Sequence, residues 1–236
     1  MAVKQHTVWI TTNKLAREIA KEVKDDYDSV IAFTGREGVG KTTHSIQLGK
    51  KVSKLLKVKF TLEDNIVYMP KLDDIRQKFN EMDRYQTIIL DEAIKVLYKL
   101  KWMDKLQQEL NEHYATERKQ NKITILNIPR FLDLNEFFRN HRVRWWIHHL
   151  FRDKETGMGF GIVYRYLDNE FSKNPWNIQE GELLSKEARR GKSIKDINAS
   201  IESELKWRMR HPNFYAFITW DALTEKEMLK YRELCD

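Results

Sequence analysis

The stretch SVIAFTGREGVGKTTHSIQLGKKVSKLL, residues 29–56, decides the fold. Its first six residues, Ser29–Thr34, form an apolar run that stops at Gly35, and from Lys41 to Leu56 the pattern becomes helical and rich in Lys. Between them Gly35-Arg36-Glu37-Gly38-Val39-Gly40-Lys41-Thr42 matches G-x-x-x-x-G-K-[ST]. Strand, glycine loop and helix in that order are the context in which this pattern cradles phosphates rather than serving as a turn without a ligand. Gly35, Gly38 and Gly40 let backbone N–H groups wrap an anion at a helix N-terminus without interference from a Cβ. Lys41 would bring a point charge to the β and γ phosphates of ATP, Thr42 a hydroxyl to Mg²⁺, and Thr43 a contact to the α phosphate. Arg36, Glu37 and Val39 lie within the same expected nucleotide loop.

Outward from the loop the alternation continues. Residues 65–69 (NIVYM) read as a strand, residues 72–79 as a helix, and Thr87–Leu90 (TIIL) as a buried strand that ends in Asp91-Glu92. A carboxylate closing such a strand can hold the Mg²⁺ shell beneath the loop, which assigns Asp91. Glu92, one residue on, is placed to polarise an attacking water; the plainer alternative is that the pair caps a following helix. A long helical pattern runs through residues 103–119, followed by the strand ITILNI, residues 123–128, closed by Pro129. Asn127 ends that strand and is read as a polar sensor of the γ phosphate, or alternatively as an Asn turning the chain into the proline.

After a short helix near residues 134–140, Val143–Phe151 and Gly159–Tyr166 read as a hairpin turning at Asp153–Gly157. Upstream, residues 12–27 place Leu15, Ile19, Ala20 and Val23 at helical spacing behind Thr12 or Asn13 as N-cap. The expected fold is α/β: a P-loop NTPase three-layer αβα sandwich with a mainly parallel central sheet, an edge hairpin and a C-terminal helical tail. Its parts are a helical extension (residues 1–28), the core (29–175) and a helical tail or lid (176–236).

GREGVGKTT, TIILDEA and ITILN in this order resemble the additional-strand, catalytic-glutamate division of P-loop ATPases. In that division the sensor strand lies between the loop strand and the Asp-Glu strand. More narrowly, TIILDEA and the stretch from Trp102 to Ile147 resemble phage and archaeal-virus ATPases related to FtsK/HerA and zonular-occludens-toxin-like DNA translocases. The resemblance covers residues 29–166 and rests on Arg118, Asn127, Pro129, Asp133 and Arg142 beyond the ATPase motifs. It implies a homo-oligomeric ring in which an arginine of one subunit reaches the neighbour's γ phosphate. Arg118, Arg130, Arg139, Arg142 and Arg144 are the candidates, in the order Arg142, Arg118, Arg139.

Forty-two Lys+Arg against thirty-five Asp+Glu leave +7, which favours polyanionic partners or serves solubility. Residues 139–152 gather four arginines and three histidines around Trp145-Trp146, a mixture compatible with contacts to DNA. Strand alternation nevertheless favours core packing for these tryptophans. It also sends His148 and His149 to opposite faces, which excludes a metal site there. The tail beyond residue 180 carries nearly balanced charge. One cysteine, Cys235, excludes an internal disulfide and fits a reducing cytoplasm. No stretch approaches the roughly 20 apolar residues of a bilayer span, and residues 1–10 lack a secretory signal, so no membrane association is expected.

These features together read as a Mg²⁺-dependent ATP hydrolase that moves DNA, in viral genome packaging or DNA transfer, located in the cytoplasm, which for a viral protein is that of the host cell. Double-stranded DNA is the expected partner. The length leaves no room for a nuclease domain, so a portal or nuclease protein is a further expected partner. An ATP-dependent switch acting on a protein is the alternative. A nucleotide or small-molecule kinase fits less well, because it has no need of Glu92 beside Asp91.

Overall fold

The computed structural model describes residues 9–25, 28–93, 121–153, 155–167, 175–177 and 208–235. The expected helix at residues 103–119, Arg118 with it, and most of the tail lie outside the described residues.

Strand β1 (Trp9–Thr11) leads into α1 (Thr12–Lys24), whose N-cap is Thr11; its hydroxyl accepts from the Lys14 N–H. Next come β2 (Ser29–Thr34), α2 (Lys41–Leu56), a one-turn α3 (Leu62–Asn65) and β3 (Ile66–Tyr68). Helix α4 (Leu72–Glu81), β4 (Thr87–Asp91) and β5 (Ile123–Asn127) follow. A 3₁₀ turn at Phe131–Asp133 precedes α5 (Glu136–His141), β6 (Val143–Arg152), β7 (Gly159–Arg165), β8 (Phe214–Trp220) and α6 (Glu225–Cys235).

The eight strands among the described residues form one sheet in the order β1-β8-β7-β6-β2-β5-β4-β3. Pairing is parallel except for β6–β7 and β7–β8. Strand β5, which carries Asn127, therefore lies between β2 and β4.

Two apolar layers sandwich the sheet, because successive side chains of a strand point to opposite faces. Ile31 and Phe33 of β2 join Ile89, Ile125 and Ile147 beneath α1 and α2. Val30 and Ala32 of the same strand join Ile88, Leu90 and Leu126 beneath α4 and α5. In α1, Leu15, Ile19 and Val23 are completely buried, each contributing about 1.5–3 kcal/mol by the transfer scale.

The β6–β7 hairpin forms, but it is not at the edge. The tail supplies β8, which pairs with β7, and the N-terminal extension supplies β1, which pairs with β8. Helix formers surround FYAFITW in the sequence and conceal a strand whose role is to cover the ladder that β7 would otherwise expose. Trp145 is buried in the first layer, with its indole N–H donating to Glu22 at 2.7 Å. Trp146 stacks on Phe131 and Tyr164.

Candidate nucleotide-binding site

The loop at residues 35–40 joins the C-terminal end of β2 to the first turn of α2. Gly35 is pinned by its N–H donating to the Pro129 carbonyl, and a Cβ there would stand 2.6 Å from the His149 carbonyl oxygen, so only glycine fits. Gly40 opens α2 in the left-handed region, with φ of 92°. That turn aims the first free N–H groups of a sixteen-residue helix into the loop, where the helix dipole adds positive potential. The Lys41 ammonium arches over the loop and donates to the carbonyls of Gly35 at 2.8 Å and Arg36 at 3.0 Å. Burial pulls its pKa below the ordinary lysine value, while the charges of Asp91, Glu92 and Glu37 partly restore it. Arg36, Glu37 and Gly38 are exposed, Val39 is half-buried and Thr43 is buried.

Asp91 at the end of β4 is 5% exposed. Its Oδ2 accepts from the Thr42 hydroxyl at 3.0 Å and its Oδ1 from the Asn127 amide at 3.0 Å. The same amide reaches Ser45 Oγ at 3.1 Å, and Ser45 donates onward to the Thr42 carbonyl. Asn127 is thus part of the carboxylate's cradle rather than merely a turn residue, and its own Oδ1 is buried with no hydrogen bond among the described residues. Glu92 projects into solvent from a left-handed backbone, φ 59°, held between Asp91 and an Ala93 N–H that donates to the Asn127 carbonyl. A non-glycine residue in that region carries strain of the kind that collects at functional sites.

The Thr42 hydroxyl, the Asp91 carboxylate and the loop N–H groups form a hard-oxygen and anion-binding set that fits Mg²⁺ and a polyphosphate together. Among the described residues there is no cluster of three His, Cys, Asp or Glu able to cage a metal unaided. A cation held by one hydroxyl, one carboxylate and substrate oxygens matches the way Mg²⁺ is usually bound.

One contact was not legible in the sequence. Tyr231 of α6 donates its hydroxyl to Asp91 Oδ2, the oxygen that Thr42 also addresses. Burial and the Asp91 charge raise the Tyr231 pKa far above the ordinary tyrosine value, so the hydroxyl keeps its proton.

On its other flank the loop meets Trp220 and Arg152. A Cβ on Gly40 would be 3.1 Å from Trp220 Nε1 and 3.6 Å from Arg152 Cδ. The Trp220 indole stacks on the His44 ring at 4.5 Å. Beneath it His149 Nδ1 lies 3.1 Å from the Thr34 carbonyl, which can only accept. Nδ1 therefore carries the proton, His149 Nε2 accepts from His44 Nδ1 at 3.0 Å, and His44 Nε2 faces the Thr12 hydroxyl. Burial pushes the His44 pKa down to about 3 and that of His149 well below the ordinary value, so both rings are neutral. His148 points to the opposite face and bonds Thr34 Oγ1 at 2.9 Å.

The arginines divide by sheet end. Arg142 and Arg139 precede β6, which runs parallel to β2, so they stand at the end away from the loop. The structure does not bring them to the site. The Arg142 side chain is 3% exposed and pairs with Asp28 at 3.1 Å, while Arg139 is half-buried in α5. Arg144, on the same end, lies over the Tyr166 ring. Arg130 follows β5 at the loop's end of the sheet, with a 78% exposed side chain bonded to Asp133.

No family model matches the chain, and no curated protein matches it. Among solved structures it is similar to the N-terminal domain of zonular occludens toxin from Neisseria meningitidis, at 16% identity and a TM-score of 0.38, covering 63% of this chain and 90% of that one. The fold is mixed α/β, with a strand, glycine loop and helix built onto a mostly parallel sheet. No helix among the described residues is long and apolar enough to cross a membrane.

Proposed function

We propose that the chain is a Mg²⁺-dependent ATP hydrolase working as a DNA-translocating motor in viral genome packaging or DNA transfer. The observation that carries the hydrolase reading is the convergence of Lys41, Thr42, Asp91 and Asn127 at the C-terminal ends of β2, β4 and β5. In this reading the loop N–H groups and Lys41 hold the phosphates, and Thr42 and Asp91 hold Mg²⁺, which supplies charge neutralisation at the phosphates. Glu92, exposed beside that carboxylate, orients and deprotonates the attacking water.

The DNA-motor part rests on the motif resemblance and the +7 balance. A ring is part of the same reading, with Arg130 the arginine whose exposure and sheet end suit a neighbour's nucleotide. ATPase rate with and without double-stranded DNA across a salt series tests it. Stimulation that fades as salt rises is the expected result, and no stimulation at low salt refutes the motor.

A second reading, an ATP-dependent switch acting on a protein partner, is favoured by one surface. Trp9 and Phe151 are more than half exposed and flank Phe160 at ring distances of 5.2 Å, an aromatic patch of a kind that protein partners use. DNA-independent turnover altered by Trp9→Ser would support it.

A further inference from the structure

The C-terminal helix is built to deliver one hydroxyl to the carboxylate of the site. Thr224 and Glu227 cap α6 reciprocally: the Thr224 N–H donates to Glu227 Oε2 at 3.0 Å and the Glu227 N–H to Thr224 Oγ1 at 3.3 Å. Glu227 also pairs with Lys50 of α2, and Lys230 pairs with Glu63 of α3. Just before the helix, the Gln47 amide donates to the carbonyls of Asp221 and Ala222. Met228 and Leu234 pack against the core beside Tyr231. Anchors on both sides thus fix Tyr231 at Asp91.

A carboxylate offers about four acceptor positions. Thr42 and Tyr231 take both on Oδ2 and Asn127 takes one on Oδ1, so the carboxylate cannot rotate and one position stays open. The Tyr231 oxygen, its proton directed at Asp91, keeps lone pairs that lie to the side of that bond. Mg²⁺ dehydrates reluctantly and retains several waters, which need acceptors around them.

We propose that Tyr231 is a positioning residue of the magnesium site: its hydroxyl fixes the Asp91 carboxylate and adds an acceptor for a magnesium-bound water. This inference rests on the nucleotide-site reading above.

The test measures binding rather than turnover. ADP binding to the full chain is followed by calorimetry in EDTA and then across a Mg²⁺ titration, for the wild type, Tyr231→Phe and Glu227→Gln. The expected result is unchanged ADP affinity in EDTA for Tyr231→Phe, with the Mg²⁺ concentration for half-maximal enhancement raised roughly tenfold. Glu227→Gln keeps the hydroxyl but loosens the helix, and it should shift the midpoint in the same direction, which preserves the test if Tyr231→Phe misfolds. An unchanged midpoint in a folded Tyr231→Phe overturns the proposal. So does a lower one, which would make the hydroxyl a competitor of the metal's waters. A wild type that binds no ADP under either condition overturns the nucleotide site itself, whereas the first two outcomes leave that site standing.

Discussion

Asn127 and Asp91 are joined across neighbouring strands by a 3.0 Å hydrogen bond from the amide Nδ2 to the carboxylate Oδ1. The end of β5 therefore sets the rotation of the carboxylate at the end of β4. Asn127→Ala should lower ATP turnover at least tenfold through the misoriented Asp91. It should also cost about 1–3 kcal/mol of stability for the buried partners it strands. Steady-state kinetics beside urea unfolding checks both, and turnover within twofold of wild type would remove Asn127 from the site.

Lys41→Ala should abolish nucleotide binding in the micromolar range, because its ammonium is the cation that lies over the loop carbonyls among the described residues. Glu92→Gln should differ from it, retaining nucleotide affinity while losing turnover. Equal loss of binding in both variants would contradict the separate roles of these residues.

Arg142 and Arg130 should behave oppositely. Arg142→Ala breaks a guanidinium pairing buried within its own subunit and should cost about 2–3 kcal/mol, less than a fully buried pair because Asp28 is partly exposed. Arg130→Ala should leave the melting temperature nearly unchanged and lower turnover only at concentrations where subunits associate. A melting-temperature series with concentration-dependent ATPase assays separates the two, and a stable, inactive Arg142→Ala would restore that residue as the arginine acting in trans.

The histidine pair predicts acid sensitivity. His44 and His149 are held neutral in the folded chain, with His44 at about 3, whereas both ionise near 6.5 when unfolded. Below that value the unfolded state takes up protons that the folded state refuses, so stability falls as pH drops from about 6.5 toward 3. Above it the pair has no effect. Burial also pushes the His148 pKa down to about 3, so replacing His44 and His149 with phenylalanine should reduce, without abolishing, the slope of urea midpoints across that window, and an unaltered slope would show that the two rings do not contribute to it.

Gly159→Ala should destabilise by about 1–3 kcal/mol, since a Cβ there would stand 1.9 Å from the Trp220 ring, which has no room to retreat between Gly159, Gly40 and His44. Urea unfolding checks it. A neutral substitution would mean that the indole is not seated against β7.

The centre of this fold was readable because its signals are local. An apolar run that meets a glycine and then a helical pattern places β2 and α2 at Ser29–Thr34 and Lys41–Leu56, and TIILD and ITILN end where their polar residues begin. What escaped was long-range. Strand β8 is a short apolar run inside a charged segment, and neither its period nor its neighbours announce a sheet. Tyr231 reaches Asp91 across 140 positions, a contact that no spacing rule encodes. The preference for Arg142 rests on position in the chain, which does not announce that its side chain is buried against Asp28, 114 positions away. The Arg130 side chain is exposed instead.

The pairing of β1 with β8 has a consequence for how the molecule comes into being. Trp9 meets Phe217 only after roughly two hundred intervening residues have been made, and so distant a closure is slow and late. Trp220 and Tyr231, the two aromatics that flank the loop from either side, arrive with or after that strand. An unfinished chain therefore owns the loop but neither of its walls. On the reading proposed above, both walls of the nucleotide loop are thus laid down well after the loop itself, once residues 220 and 231 have been made.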